Sequence, residues 1–462
     1  MPNVAILVDF GSTYTKVVAV DLDQAAILGT AQHPSTVDTD VTIGLERALA
    51  GVSAIAVADV RLRLASSSAR GGLRLVAIGL VPALTAEAAR QAALGAGAKV
   101  VRVYSHELTP SDIAEIESLQ PDLVLLAGGT DGGNREVITL NARMLAASNL
   151  AAPVIMAGNR AARDEVEKAL HGAGKRCYMT KNVLPELDQL DVEPVRAVIR
   201  ETFIRHIVEA KGLDRAKRMI DDIIMPTPAA VLDAAQLLSV GTADEPGWGD
   251  LMVVDVGGAT TDVHSISAAA PRSGMVPRGL PEPLAKRTVE GDLGVRVNAR
   301  SVVELGQMHE LRADLAAALR APQARARSDF LAANTSVLAS TADESRLDVM
   351  MASACVDIGM ERHVGHVKET YGIHGPVQLL YGKDLREVKA LIGVGGVFAF
   401  GPEPREVLRA GLARNDLPHS LRPQAPALYH DASYVFYAMG LLAAREPAIA
   451  LRVLKNTLVN HG

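Results

Sequence analysis

The sequence has 462 residues, more than a single hydrophobic core ordinarily organises, and it therefore predicts two or three domains. Hydrophobic residues make up 48% of the chain and charged residues 22%, as in an ordinary globular protein. A net charge of −6 and an aromatic content of 3% supply neither the cationic field nor the stacking surface of a general nucleic-acid binder, so we expect no nucleic-acid partner.

Cysteine content and hydropathy indicate a reduced compartment. Cys177 and Cys355 are too few for a metal cluster or a disulfide framework. The apolar run at 4–8 is interrupted by Asp9 and has no basic residues before it, which predicts a strand and not a signal peptide. No segment sustains the roughly 18 apolar residues of a membrane helix. We expect a cytoplasmic protein with no membrane partner.

The first candidate site is the segment Ile6–Val20, ILVDFGSTYTKVVAV, which predicts a strand, a tight turn and a returning strand. Asp9, at the end of the apolar strand, is the counterpart of Asp255 in a later segment, whose carboxylate suits Mg²⁺ held largely through water. Lys16 lies seven residues later, where its ammonium could reach terminal phosphates or simply be solvated at an edge. The spacing Asp-x-Gly-Ser-x-x-x-Lys resembles the first phosphate loop of actin.

From about residue 84 the sequence alternates amphipathic helices with short apolar strands. This pattern predicts an inserted parallel sheet with helices on both faces. The predicted helices are 85–94, 111–119, 134–147 and 161–170, and the predicted strands are 100–104, 123–127, 153–157 and 177–180.

A glycine-rich loop at 128–134, GGTDGGN, follows one of these strands. It could hold an anion, a water or a partner's group, or it could be only a tight strand-to-helix connection. Asp131 is its single acid and is a candidate for orienting an attacking water. A helix-capping or turn-forming role explains the same aspartate.

The segment Leu251–Ser265, LMVVDVGGATTDVHS, is the second candidate site. Asp255 ends an apolar strand, and glycines 257 and 258 expose backbone amides to which the hydroxyls of Thr260 and Thr261 add donors. Taken alone, this segment is equally compatible with a phosphate loop and with an ordinary hairpin whose glycines serve only the turn. It repeats the first segment, however, at a constant offset of 246 residues, with Asp9 matching Asp255, Gly11 matching Gly257 and Thr15 matching Thr261. We interpret the repeat as an internal duplication in which two phosphate loops contact one nucleotide.

Three later segments carry weaker signals. In Lys286–Gly294, KRTVEGDLG, Glu290 could meet a ribose hydroxyl or could belong to a capped helix start. Leu391–Phe398, LIGVGGVF, predicts a strand ending in glycines 393, 395 and 396, which would let an adenosine approach the backbone. His363, His366 and His374 suggest either a metal site or a solvated loop, and Asp431–Leu442 predicts an apolar helix.

Two phosphate hairpins, a glycine-rich adenosine loop and a terminal helix, in this order, resemble the superfamily of actin, Hsp70 and sugar kinases. More narrowly, the sequence resembles the glutamate mutase L family, which comprises accessory or reactivating proteins of cobalamin-dependent mutases. The segments that carry this resemblance are ILVDFGSTYTK, TDVTIGL, GGLRLVAIGL, LLAGGTDGGN, KRTVEGDLG and LIGVGGVF.

The resemblance implies an α/β fold with duplicated actin-like, ribonuclease H-like halves and an inserted doubly wound βα domain. The implied divisions are 1–80 for the first half, 81–190 for the flavodoxin-like or Rossmann-like insert, 191–425 for the second half, and 426–462 for helices returning to the first half.

The resemblance also implies ATP and Mg²⁺ as ligands. Asp9 and Asp255 would lie on the metal side, with Asp131 as a further catalytic candidate. The nucleotide-binding residues would be Gly11, Ser12, Thr13, Lys16, Gly257, Gly258, Thr260, Thr261, Glu290, Gly393, Gly395 and Gly396.

The function implied is an ATPase that reactivates an adenosylcobalamin-dependent mutase, with domain closure releasing damaged cobalamin. The implied partners are mutase subunits, and a homo-oligomer is also compatible. Two other classes fit the same fold. One is a small-molecule kinase or an ATP-dependent enzyme of the hydantoinase or oxoprolinase type. The other is a nucleotide-regulated scaffold with little turnover.

Overall fold

The computed structural model describes residues 3–11, 14–36, 40–52, 60–68, 73–210, 219–268, 274–372 and 375–462. The chain forms two compact units. Unit 1 comprises Met1–Val231 and Gly279–Pro283, and unit 2 comprises Leu232–Arg278 and Leu284–Gly462. This division differs from the predicted one, because residues 191–231 group with unit 1 and residues 426–462 with unit 2.

The first sheet of unit 1 has the order β10-β4-β1-β2-β3. Its strands are β1 (Val4–Phe10), β2 (Tyr14–Asp21), β3 (Ala26–Pro34), β4 (Val60–Ser67) and β10 (Asp222–Pro226). β1 is buried along its whole length, antiparallel to β2 and parallel to β4. Helix α1 (Val41–Ala50) begins after Asp40, whose carboxylate accepts the Thr42 amide and so caps the helix.

The second sheet of unit 1 is entirely parallel, with the order β6-β5-β7-β8-β9. Its strands are β5 (Arg74–Gly79), β6 (Lys99–Ser105), β7 (Leu123–Leu126), β8 (Val154–Met156) and β9 (Cys177–Met179). The connecting and following helices are α2 (Glu87–Gly95), α3 (Pro110–Leu119), α4 (Glu136–Ala147), α5 (Arg163–Gly172) and α6 (Glu193–Ala210). This is the doubly wound 2-1-3-4-5 arrangement, and it begins at Arg74, ahead of the predicted start of the insert at residue 81.

Alternate residues of β5 enter two different cores. Val76 and Ile78 pack with Ile116 and Ile138 beneath α3 and α4. Leu75 and Ala77 enter a core shared with β1, β2 and α6. The inserted sheet is therefore covered on both faces, and its second face is bound to the first sheet by a common hydrophobic core.

The main sheet of unit 2 has the order β14-β12-β11-β17-β18-β19. Its strands are β11 (Leu251–Val256), β12 (Thr261–Ile266), β14 (Ala285–Glu290), β17 (Ala390–Val394), β18 (Ala427–Asp431) and β19 (Leu458–Asn460). The run β14-β12-β11-β17-β18 repeats the run β3-β2-β1-β4-β10 of unit 1, with the same parallel and antiparallel pairings. The predicted fold class, α/β with duplicated halves and an inserted doubly wound sheet, is confirmed.

Helices complete unit 2. After α7 (Thr227–Val240), which begins in unit 1, they are α8 (Ala299–Met308), α9 (Ala313–Arg320), α10 (Pro322–Ala333), α11 (Ala342–His363), α12 (Gly396–Phe400), α13 (Pro404–Arg409), α14 (Phe436–Ala443) and α15 (Pro447–Thr457). A small sheet has the order β13 (Met275–Arg278), β16 (Gly375–Tyr381), β15 (His366–Gly372). The core residues Val254, Val263 and Val356 bury α11 against the main sheet.

The predicted helix Asp431–Leu442 is wrong at its start. Asp431 is the last residue of β18, and α14 begins only at Phe436. The buried Asp431 carboxylate accepts the Phe436 amide at 2.7 Å, so the aspartate satisfies the start of the helix without belonging to it. Within the described part of the chain, no helix combines the length and apolarity needed to cross a membrane.

Candidate functional site

The first hairpin turns immediately after β1. The Gly11 amide donates to the Tyr14 carbonyl at 3.1 Å, and a Cβ at residue 11 would lie 2.5 Å from that oxygen. Only glycine fits this closure without a shift of the backbone. Ser12 and Thr13, both predicted to bind phosphate, lie outside the described residues.

Asp9 is 1% exposed, and both of its carboxylate oxygens accept hydrogen bonds. Its Oδ1 accepts from Thr227 Oγ1 at 2.5 Å and from Ser66 Oγ at 3.2 Å. Its Oδ2 lies 3.2 Å from Lys16 Nζ, which donates to it across the β1–β2 ladder. Two hydroxyls and one ammonium thus hold the carboxylate in one orientation.

Neither hydroxyl partner of Asp9 was identified as a site residue from the sequence. Ser66 lies on β4, the parallel neighbour of β1, and Thr227 directly follows β10, which pairs in parallel with β4. The carboxyl ends of adjacent parallel strands meet at one edge of a sheet, and polar residues at the ends of β4 and β10 were the available signal.

The second hairpin repeats this geometry. Asp255 stands opposite Asp262 in the β11–β12 ladder, as Asp9 stands opposite Lys16, and the Gly257 amide donates to the Thr260 carbonyl at 2.9 Å. The positions of Lys16 and Asp262 are therefore equivalent but carry opposite charges. Asp262 is compensated by Arg287, whose Nη2 lies 3.1 Å from its Oδ2.

The tip of the second hairpin presents backbone donors. Gly258 and Ala259 are exposed, and among the described residues their amides have no hydrogen-bond partner. Consecutive unpaired amides at a turn form a concave, electropositive site suited to an anion. Asp255, directly before the turn, is half-buried.

The segment following β14 donates hydrogen bonds to the carbonyls of this tip. Arg296 and Val297 donate their amides to the Gly258 carbonyl, both at 2.8 Å, and Asn298 Nδ2 donates to the Ala259 carbonyl at 2.6 Å. A Cβ at Gly294 would lie 2.4 to 2.6 Å from the Ala259 backbone, so the segment needs glycine there. The loop carbonyls are therefore engaged by protein while the tip amides face outward.

Two residues predicted to contact nucleotide are engaged elsewhere. Thr261 is fully buried, and its hydroxyl donates to the Leu293 carbonyl at 2.8 Å. Glu290 accepts from Arg362 Nη1 at 2.8 Å, and Arg362 also binds both carboxylate oxygens of Asp292 at 2.7 and 3.0 Å. Both residues stabilise the segment that follows β14. A ribose contact for Glu290 stays a prediction.

Arg362 is the shared cation of Glu290 and Asp292, whose pKa values shift in opposite directions. Burial raises the pKa of Glu290, and the hydrogen bond and charge of Arg362 only partly oppose the shift. For the more exposed Asp292, burial acts in the same upward direction, but the hydrogen bond and charge of Arg362 outweigh it and lower the pKa. Glu290 therefore depends on Arg362 to remain ionised without a large cost.

The third loop meets the second hairpin within unit 2. Gly395 has a φ of +95°, and a Cβ there would lie 2.5 Å from Asp255 Oδ1 and 2.8 Å from the Val256 carbonyl. A Cβ at Gly393 would collide with the Phe398 ring, whereas one at Gly396 would only touch Phe400 Cδ2, at 4.0 Å. The structure thus brings Asp255 and the glycines of the third loop to one edge, where β11 and β17 both end.

Asp131 is bound into its own loop. Its Oδ1 accepts from Asn182 Nδ2 at 2.9 Å and from the Arg160 amide at 3.0 Å, and its amide donates to the Pro185 carbonyl. Buried Asn159 donates to the carbonyls of residues 133 and 134. These contacts are those expected of a helix-capping or turn-forming aspartate. A catalytic role for Asp131 stays a prediction.

The predicted loop with His363, His366 and His374 is wrong for His363. His363 ends α11, is fully buried, and its ring nitrogens lie 2.9 Å from Thr288 Oγ1 and 2.8 Å from Ser265 Oγ. His366 lies on β15, and His374 lies outside the described residues. Among the described residues, no group of three or more His, Cys, Asp or Glu side chains could hold a metal ion.

Neither cysteine behaves as a reactive thiol. Burial raises the pKa of the Cys177 thiol and of the Cys355 thiol to about 12. Such thiols stay protonated near neutral pH and are poor nucleophiles.

Comparison with known proteins identifies the family. A family model described as MutL protein matches residues 5–458. The chain belongs to the glutamate mutase L (MutL) family. A curated MutL relative, Protein MutL of Clostridium tetanomorphum, is 46% identical over 459 residues, which cover 98% of this chain and 99% of the relative. The predicted MutL resemblance is confirmed.

Solved structures outside the MutL family are more distant. A nucleotide-free acetone carboxylase is 15% identical with a TM-score of 0.43, and the alignment covers 96% of this chain and 70% of that one. A glycerol dehydratase reactivase is 11% identical with a TM-score of 0.34, covering 96% and 99%. A xylulose kinase from Bifidobacterium adolescentis is 12% identical with a TM-score of 0.33, covering 100% and 96%. Likenesses at this level assign no activity to a MutL protein.

Proposed function

We propose that this MutL-family chain is a cytoplasmic Mg·ATP-dependent reactivating factor for an adenosylcobalamin-dependent mutase. The clients we propose are glutamate (methylaspartate) mutase or a related aminomutase. The observation that carries the proposal is the pair of Asp-x-Gly hairpins, which share ladder register and closing hydrogen bond at an offset of 246 residues. Membership of the MutL family supports the choice of a mutase as client.

We propose roles for the described residues in binding a nucleotide with its magnesium. The outward amides of Gly258 and Ala259 suit phosphate oxygens, and the open backbone at Gly396 suits the adenosine. Lys16 would add a point charge, and Asp9 and Asp255 would hold Mg²⁺ through water. The chemistry that bound Mg²⁺ supplies is neutralisation of phosphate charge.

In this proposal the chain's own residues orient the nucleotide. The hydroxyls of Ser66 and Thr227 fix the Asp9 carboxylate, and the contact between Gly395 and Asp255 fixes the second carboxylate beside the third loop. A nucleotide-dependent change of conformation would then weaken the hold of the mutase on damaged cobalamin.

The test combines inactivated mutase, free adenosylcobalamin, Mg·ATP and this protein. We expect mutase activity to return and damaged cobalamin to be released into solution. The non-hydrolysable analogue of ATP and the variant Asp255→Ala should each fail to restore activity. If activity stays lost with the unaltered protein and no cobalamin is released, the reactivating function is wrong.

The same assays separate the two other classes. A small-molecule kinase or hydantoinase-type enzyme would release ADP on addition of substrate with no protein partner present, and a scaffold would bind ATP, turn it over negligibly and polymerise in sedimentation. Asp131 is the general-base candidate for an enzyme of the first kind. Because Asn182 and the Arg160 amide already occupy its Oδ1, we expect Asp131→Asn to change ATP turnover by less than about threefold. A loss of 100-fold or more would favour that class.

A further inference from the structure

An aromatic pair, one ring exposed and the other half-buried, flanks the third loop. Phe400, the last residue of α12, is 66% exposed, and its Cδ2 would lie 4.0 Å from a Cβ at Gly396. Tyr434 meets it edge to face, with ring centroids 5.8 Å apart and an interplanar angle of 87°. The two rings therefore stand next to the open backbone proposed for the adenosine.

The strand order explains why these rings are neighbours. β11, β17 and β18 are adjacent and parallel, so their carboxyl ends lie at one edge of the sheet. Asp255 is near the end of the first strand, Gly395 follows the second, and Tyr434 follows the third by three residues. Ligands of open α/β sheets bind at this edge.

The backbone at Tyr434 is unusual. Its φ is +56°, a left-handed conformation that is uncommon for residues other than glycine. The Tyr434 amide donates to the Asp431 carbonyl at 3.5 Å, the Asp431 carboxylate accepts the Phe436 amide at 2.7 Å, and the Tyr434 ring meets Tyr437 edge to face with centroids 6.4 Å apart. Such constrained residues concentrate at ligand sites, because the surrounding structure must maintain them.

We infer that Phe400, supported edge-on by Tyr434, is a stacking platform that recognises the base of a purine nucleotide. The inference rests on the proposed function, since it requires the third loop to bind a nucleotide. A single exposed phenylalanine is ordinary on a protein surface. Here its exposure coincides with an open glycine backbone, a perpendicular aromatic partner and a left-handed tyrosine. A purine would cover the exposed ring more fully than a pyrimidine, so the platform also sets base preference.

Calorimetry with the full chain tests the platform. The probes are Mg·ATP, Mg·CTP and Mg·tripolyphosphate, the last of which lacks a base. For Phe400→Ala we expect Mg·ATP to bind about 5- to 100-fold more weakly, the effect of losing one base–aromatic stack, and the preference for ATP over CTP to shrink. Binding of Mg·tripolyphosphate should change by less than about twofold.

Two further variants control the interpretation. Phe400→Trp keeps a stacking ring and should restore Mg·ATP affinity to within about threefold of the parent. Phe330→Ala removes a comparable exposed ring, 46% exposed on α10, and should leave every affinity unchanged.

Three outcomes would overturn the inference, and they can be told apart. Equal binding of Mg·ATP by the parent and by Phe400→Ala would show that Phe400 is not a stacking platform, although the chain binds nucleotide. Equal loss of Mg·ATP and Mg·tripolyphosphate would show that Phe400 only maintains the loop. A parent chain that binds neither probe would refute the proposed function, and the platform with it.

Discussion

Thr227 donates its hydroxyl to Oδ1 of Asp9 at 2.5 Å, although 218 residues separate the two in sequence. We predict that Thr227→Val, which removes the hydroxyl at nearly constant volume, lowers ATP turnover about 10-fold. The reason is that a hydrogen bond to a charged group contributes about 1.5–3 kcal/mol to holding it in place. The measurement is steady-state phosphate release together with thermal unfolding.

A matched control for that experiment is available on α6. Thr202 is also buried and donates its hydroxyl to the Val198 carbonyl, within the helix. Thr202→Val should leave ATP turnover unchanged. Parent-like turnover in Thr227→Val would mean that Asp9 needs no orientation by this hydroxyl.

The contacts of Asp9 with Ser66 and Thr227 could not be predicted from the sequence alone. The two hairpins and the glycines of the third loop were predicted because strand, turn and returning strand lie within fifteen residues of sequence. Ser66 and Thr227 were missed because their meeting with Asp9 depends on the register of β1, β4 and β10. Long-range strand register is set by tertiary packing and leaves little local signal.

The errors have physical causes of the same kind. The helix predicted from Asp431 followed an apolar run, but Asp431 pairs with Leu458 of β19 and is therefore the last residue of strand β18. His363 was assigned with His366 and His374 either to a metal site or to a solvated loop, whereas α11 buries it between Ser265 and Thr288. In both cases packing overrode local preference.

Asp255 is predicted to be indispensable for Mg·ATP hydrolysis. Asp255→Ala should lower turnover at least about 100-fold, as expected for the loss of a charged group at the reacting phosphates. The fold should survive, because the residue is only half-buried at the end of β11. Phosphate release and circular dichroism would be measured together. Asp250→Ala, immediately before the opposite end of the same strand, serves as control, and the central assignment would be abandoned if both variants matched the parent.

Gly395→Ala is predicted to abolish detectable nucleotide binding. The added methyl would lie 2.5 Å from Asp255 Oδ1, and the φ of +95° disfavours any side chain. Gly274→Ala is the control, because that glycine has a similar φ of +90° with nothing within 4 Å of its Cβ position. Backbone strain alone would weaken stability equally in both variants. Calorimetric titration with Mg·ATP that showed normal affinity for Gly395→Ala would contradict the contact.

Arg362→Met is predicted to make stability depend more steeply on pH. Without the guanidinium, buried Glu290 loses its compensating charge, so its pKa rises further above that of the unfolded chain. A carboxyl whose folded pKa is raised contributes stability at low pH and loses that contribution as pH rises through the folded value. The variant should therefore be destabilised more at pH 8 than at pH 5, by about 1–3 kcal/mol at the higher pH.

Urea unfolding at the two pH values measures this difference. Arg300→Met removes an exposed pair with Asp329 and should cost less than about 1 kcal/mol at either pH. An equal loss of stability at both pH values in Arg362→Met would show that Glu290 does not depend on that guanidinium.

The duplicated hairpins differ at one pair of equivalent positions, where the first has Lys16 and the second has Asp262 neutralised by Arg287. Two identical copies would present the same charge beside each aspartate. With a cation presented beside Asp9 and a neutral ion pair beside Asp255, the copies have lost their equivalence. Divergence after duplication has therefore left the two hairpins electrostatically distinct: the first keeps a cation beside its carboxylate, and the second keeps an ion pair that neutralises itself.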